Sequence, residues 1–216
     1  MTGLMIKDAL VMRKTLRLYA LFLLFYSGLA VLGVFPMSMA LAMVEVIVMV
    51  LPISSFSYDE AAKWDRYAAV LPVGRTAVVK ARYLFLLLVL LAAAAIGLVG
   101  SILASLLARE DLGELLATLL VSMGLGLMIA DIMLPVVYQL GPERARPWMY
   151  VIIFAPIVVL LGGAKLGLFD GIDLSWLDQL PELAVLGVFA LVPLVPLVGM
   201  LLSCWISCRI YARKEF

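Results

Sequence analysis

The residues with the most chemistry in this chain sit in one polar block, positions 56–76, reading FSYDEAAKWDRYAAVLPVGRT. What the block offers is recognition rather than catalysis. Tyr58, Trp64 and Tyr67 are interleaved with Asp59, Glu60, Lys63, Asp65 and Arg66, the mixture of aromatic and charged side chains that anchors protein interfaces. Catalytic chemistry has little to work with. The chain has no histidine, which removes the commonest general base and metal ligand. Neither Ser-His nor His/Glu spacing is present for an intramembrane enzyme. No G-x-x-x-x-G-K-[ST] phosphate loop occurs; Gly162-Gly163-Ala164-Lys165 comes nearest and lacks the spacing. Cys204 and Cys208 lie four apart on one helical stretch, where geometry does not favour a disulfide, and read as reduced thiols. A net charge of +1 gives no footprint for nucleic acid.

The block carries its own folding signals. Ser57 with Glu60 three residues on forms a capping box, a start signal for a helix. Asp59 and Lys63 stand four apart in the favourable order for a helical ion pair. Ala61, Trp64, Ala68 and Leu71 recur at helical spacing as a narrow apolar face. Pro72 stops the helix and Val73-Gly74 turns the chain. The expectation is a separate helix over 57–71. A second polar block, PVVYQLGPERARPW at 135–148, turns at Gly141-Pro142 and exposes Glu143, Arg144 and Arg146.

The elements holding these blocks are set by composition. Of the 216 residues, 66% are hydrophobic and 14% charged, against about 45–50% and about 25% in soluble domains. A globule could not hide that much apolar surface, so an all-α integral membrane protein is expected. Six spans of roughly 20 apolar residues are predicted at about 18–35, 36–54, 83–107, 115–139, 148–167 and 183–207. They form a single transmembrane domain over 1–216, with a short turn at Gly33 and Pro36 between the first two. With both termini inside, every Lys and Arg except Arg109 and Lys165 falls on the cytoplasmic side. The segments 109–114 and 168–182 become acidic outer loops, and both polar blocks become cytoplasmic. Residues 1–17 read as an amphipathic segment on the inner leaflet, with Met5, Ala9, Met12 and Leu16 on one face and Lys7 and Lys14 projecting from the other. Glu45 and Asp131 lie within predicted spans, where a central acid costs about 2.5–3.5 kcal/mol on insertion scales and usually faces a bundle interior or cavity.

The stretch from Tyr58 through Lys63-Trp64-Asp65 and Tyr67 to Leu71-Pro72-Val73-Gly74-Arg75, followed by Pro135 and Gly141 through Arg146, resembles the ABC-2-type transporter permeases. It is similar in particular to the small permeases of bacterial peptide and antimicrobial exporters, including those exporting phenol-soluble modulins. The resemblance implies an N-terminal elbow helix, a cytoplasmic coupling helix at 57–71, and a smaller cytoplasmic contact at Gly141, Glu143, Arg144 and Arg146. Tyr58, Asp59, Glu60, Lys63, Trp64, Asp65, Arg66, Tyr67, Leu71 and Pro72 would then dock a separate ATP-binding subunit, and a second permease subunit, identical or not, would complete the pore. This chain would bind no cofactor and hydrolyse nothing, ATP and magnesium residing on the partner. Export of a peptide-like or amphipathic substrate through the cytoplasmic membrane is the implied function, with Glu45 and Asp131 as candidate pathway residues. The alternative is a proton-coupled secondary transporter using those same two acids, against which stand the absence of histidine and of a detectable inverted repeat.

Overall fold

A computed structural model of the chain describes residues 2–64, 67–68, 74–167 and 182–213. These fold into helices: α1 (Thr2–Val11), α2 (Arg13–Val31), α3 (Met37–Ala61), α4 (Arg75–Leu107), α5 (Leu112–Leu140), α6 (Pro142–Lys165) and α7 (Glu182–Arg213). Lipid offers backbone groups no partner, so each apolar stretch must satisfy its own hydrogen bonds as a helix. Five helices among the described residues are long and apolar enough to cross a membrane: α2, α3, α4, α5 and α7 from Leu186. Helix α6 occupies the place of the expected fifth span and runs for 24 residues.

The turns have local causes. Helix α2 closes with the Gly33 N–H on the Ala30 carbonyl (2.9 Å) and the Val34 N–H on the Leu29 carbonyl (3.1 Å). That 6→1 and 5→2 pairing needs a left-handed residue, which Gly33 supplies at φ 74°. Pro36 then caps α3 in extended conformation. The orphan N–H of Met37 is met from another part of the chain, where the Glu110 carboxylate accepts it at 3.2 and 3.3 Å. A carboxylate at a helix N-terminus also sits favourably in the helix dipole. At the opposite end, Gly141 (φ 80°) turns α5 directly into α6, which starts on Pro142 where no N–H is needed.

Two departures from the sequence reading concern the polar blocks. No helix starts at Ser57: α3 runs unbroken from Met37 through Pro52 to Ala61. The capping signal fails because the chain upstream is already helical, so the N–H groups that Ser57 and Glu60 would cap are taken. The break comes at Ala62–Lys63, with Lys63 in left-handed conformation at φ 51°. Likewise the amphipathic segment 1–17 is two pieces, α1 ending at Val11 and α2 beginning at Arg13. Helices α4 and α7 overrun the predicted spans at the basic end, beginning at Arg75 and finishing at Arg213. At 33 residues α4 is about 50 Å long, well beyond the roughly 30 Å hydrocarbon core.

Helix α5 is the hub, packed on α3, α4, α6 and α7. Small residues permit its closest approaches, as expected where helices associate without a hydrophobic drive. Gly126 lies against Val48 and the Glu45 backbone on α3. Gly124 lies on the Val192 backbone of α7, where an added Cβ would come within 2.7 Å of the Val192 side chain and 2.9 Å of its main chain. One heptad further along both helices, a Cβ on Gly199 would stand 3.2 Å from the Asp131 carboxylate. Ser203 on α7 donates to the Asp131 carbonyl at 2.6 Å, and the Tyr83 hydroxyl of α4 joins the hydroxyls of Ser203 (2.7 Å) and Ser207 (2.8 Å).

Gly124→Ala therefore forces α5 and α7 apart. We expect it to cost about 1–3 kcal/mol, read as lower thermal stability in nanodiscs, while Gly28→Ala, where a Cβ meets nothing within 4 Å, leaves stability unchanged.

Candidate docking site

The basic end of the bundle is organised around four charged side chains from three elements. Asp8 of α1, Asp59 of α3 and Arg82 of α4 are 5%, 8% and 5% exposed, and Lys7 of α1 is half-buried beside them. Lys7 Nζ lies 2.7 Å from Asp8 and 2.9 Å from Asp59. Arg82 donates a hydrogen bond to Asp59 and lies 3.5 Å from Asp8. Two cations and two anions thus neutralise one another, the condition for burying any of them.

Aromatic rings enclose the charges. The Arg82 guanidinium stands over the Phe56 ring at 4.3 Å. Phe56 meets Tyr138 of α5 edge-on at 4.6 Å, and Tyr138 meets Tyr211 of α7 at 5.5 Å. Lys7 Nζ caps the Trp64 ring at 4.2 Å, a contact that gains when the cation is partly desolvated. Arg82 Nε, Trp64 Nε1 and Tyr138 Oη are buried with no partner atom among the described residues. The cluster is therefore costly to assemble, and its value lies in fixing position rather than in net stability. Further ties run along the same end: the Thr15 and Tyr58 hydroxyls at 2.8 Å, Tyr19 and Ser54 at 3.3 Å, and Arg75 donating to the Ala212 carbonyl at 3.1 Å.

The expected docking residues separate into two groups. Tyr58, Glu60, Lys63 and Tyr67 are exposed, Tyr67 most strongly at 64%. Glu143, Arg144 and Arg146 are exposed on the first turns of α6, where the intervening Ala145 is buried. Helix α6 packs on α3, and Phe56 touches Tyr138, so the two polar blocks share one end of the bundle. Asp59 belongs to the other group. It turns inward to Lys7 and Arg82, not to Lys63 as helical spacing suggested, because a buried charge takes the strongest partners within reach. Trp64 is half-buried under Lys7. Lys7 does not project away from the apolar face of α1. Asp65, Arg66, Leu71 and Pro72 lie outside the described residues, as do positions 168–181 of the expected outer loop.

Glu45 and Asp131 are not brought together with this cluster. Both are half-buried, Glu45 on the α3 surface that receives Gly126 and Asp131 facing Gly199 of α7. The sequence reading missed Asp8 and Arg82 as members of the centre. Each carried a signal: Asp8 falls three residues after Met5 and four before Met12, inside the apolar stripe. Arg82 falls between Val78–Val79 and Phe85–Leu86 on the buried face of α4.

Removing one member of a buried ion cluster costs about 3–5 kcal/mol because the others stay buried and unmatched. Arg82→Met is expected to lower thermal stability by that order in nanodiscs. Lys80→Met, at an exposed position two residues away, is expected to leave it unchanged.

The geometry describes a helical membrane protein with a rigid, charge-locked end that displays aromatic and charged side chains outward. A family model described as an ABC-2 family transporter protein matches residues 3–212. No curated protein and no solved structure matches. With nearly the whole chain matched, this multi-pass membrane protein belongs to the ABC-2 family of transporters.

Proposed function

We propose that this chain is the membrane-spanning permease subunit of an ATP-driven exporter, six spans with both termini in the cytoplasm. The observation that carries the proposal is the exposed rim of Tyr58, Glu60, Lys63, Tyr67, Glu143, Arg144 and Arg146 seated on the buried charge cluster. A docking surface transmits force only if it is stiff. Here the rim is joined through Asp59 and Phe56 to α1, α4, α5 and, through Tyr211, to α7. In this reading a separate ATP-binding subunit carries ATP and magnesium, presses on the rim, and tilts α3 and α4 together. A second permease subunit completes the pathway. The cargo is a peptide-like or amphipathic molecule, suited to the apolar walls that this composition provides.

The test is co-purification with the ATP-binding protein from the adjoining reading frame. Truncating interface anchors costs upwards of about 1–2 kcal/mol each, so Tyr67→Ala combined with Arg144→Ala is expected to weaken the complex at least tenfold (about 1.4 kcal/mol). Arg109→Ala, at the opposite end, has no such effect. Unchanged affinity together with unchanged transport-coupled ATP hydrolysis would sink the assignment.

Glu45 and Asp131 are the acidic groups that we assign to the pathway. Glu45→Gln is expected to slow vesicle transport of cationic amphipathic peptides while leaving neutral ones unaffected. Equal rates for every cationic peptide tried, at equal expression, would remove Glu45 from the pathway.

A further inference from the structure

Just after α3 the chain turns at Ala62–Lys63 and is helical again at Trp64, Tyr67 and Ala68, with Ala68 buried. Helix α3 closes with the Ala62 N–H on the Tyr58 carbonyl and the Lys63 N–H on the Glu60 carbonyl, both at the helix end. Lys63 is left-handed, and the indole N–H of Trp64 has no partner among the described residues. The Trp64 ring is nevertheless half-buried. The cation over its face comes from residue 7, on a helix expected to lie apart on the membrane surface.

We propose that Lys7 is a positioning residue for the docking turn. Its ammonium has three donors; Asp8 and Asp59 take two directions, and the Trp64 ring takes the remaining side. Through that one atom, α1 holds the turn that follows Ala61, so α1 and the turn move as a single body. The inference rests on the docking reading for its consequence, though the clamp can be observed without any partner.

Lys7 is the most exposed member of the cluster, and its loss lowers stability without parting the helices. Arg82 contacts Asp8 and Asp59 as well, so both acids keep a cationic partner when Lys7 is neutralised. Trp64 keeps none. Loss of Lys7 thus loosens the Trp64 ring, which keeps only its apolar packing on the core, while Arg82 still joins α1, α3 and α4. Its outer neighbours Ile6 and Leu10, 58% and 60% exposed, present an apolar face suited to lipid, which fixes α1 at the membrane surface as the anchor of the clamp.

The experiment uses the full chain in nanodiscs with Trp64 as the single tryptophan, Trp148, Trp176 and Trp205 being replaced by phenylalanine. Lys7→Met is expected to raise acrylamide quenching of Trp64 and red-shift its emission, reflecting about a fivefold shift of the turn toward its open position, the scale of a partly buried cation–π contact. Lys7→Arg restores the wild-type spectrum, since guanidinium also stacks on indole; Lys14→Met, at an exposed position on α2, changes nothing. Lys7→Gln repeats the measurement should the methionine variant fold poorly. In the otherwise native chain, Lys7→Met is expected to weaken binding of the adjoining ATP-binding protein by a similar factor, with Lys7→Arg again restoring it. Unchanged Trp64 quenching in both neutral variants overturns the clamp. Increased quenching with unchanged partner affinity retains the clamp and overturns the docking reading.

Discussion

Four charges must be buried at one end of this bundle, and most of the local architecture follows from that requirement. None of Asp8, Asp59 and Arg82 could be withdrawn from water alone, since an isolated buried ion costs far more than a fold's entire margin of stability. They become affordable only as a set, with Lys7 completing it. The set in turn dictates the path of the chain. Helix α1 must lie against the basic ends of α3 and α4, so it breaks from α2 at Met12. Helix α3 must continue past the apolar segment to deliver Asp59. Helix α4 must begin early enough that Arg82 lies two turns inside it.

The remainder of the bundle is packed by a different rule. Around α5 the contacts are made by glycine against backbone, Gly124 on Val192 and Gly126 on the Glu45–Val48 turn. Packing of this kind depends on shape and has little tolerance for added volume. The basic end is held by charge and ring stacking, the interior by close approach, and the opposite end by the Glu110 cap on α3. Tyr83, next to Arg82 on α4, links the charged end to the interior through its hydroxyl on Ser203 and Ser207 of α7.

Much of this was legible in the sequence, and the failures are instructive. Apolar runs located five helices long and apolar enough to cross a membrane, because in lipid a long apolar segment has one backbone solution; the expected fifth span is the helix α6. The Gly33–Pro36 turn was visible for the same local reason. Helix boundaries at the basic end were not, since α3 and α7 run on into polar sequence where tertiary contacts, not hydropathy, decide where a helix ends. The capping box at Ser57 shows the limit of a local motif: it marks a start only where the preceding residue is not already helical. Helical spacing pairs Asp59 with its i+4 neighbour Lys63. Residues 52 and 23 positions away won instead, and nothing in a spacing rule ranks such partners. Asp8 and Arg82, each a charge on an apolar face, could have been recognised as seeking one another.

The parallel pair α5 and α7 carries a mechanical consequence. Their contacts at Gly124–Val192 and Asp131–Gly199 lie seven residues apart on both helices, so the register is keyed twice. Sliding one helix along the other by a turn, about 5.4 Å, would bring Val192 onto Leu120 or Met128 in place of a glycine. Shear between the two is therefore closed as a mode of motion. They behave as a two-stranded strut, a fixed element against which α3, α4 and α6 pack.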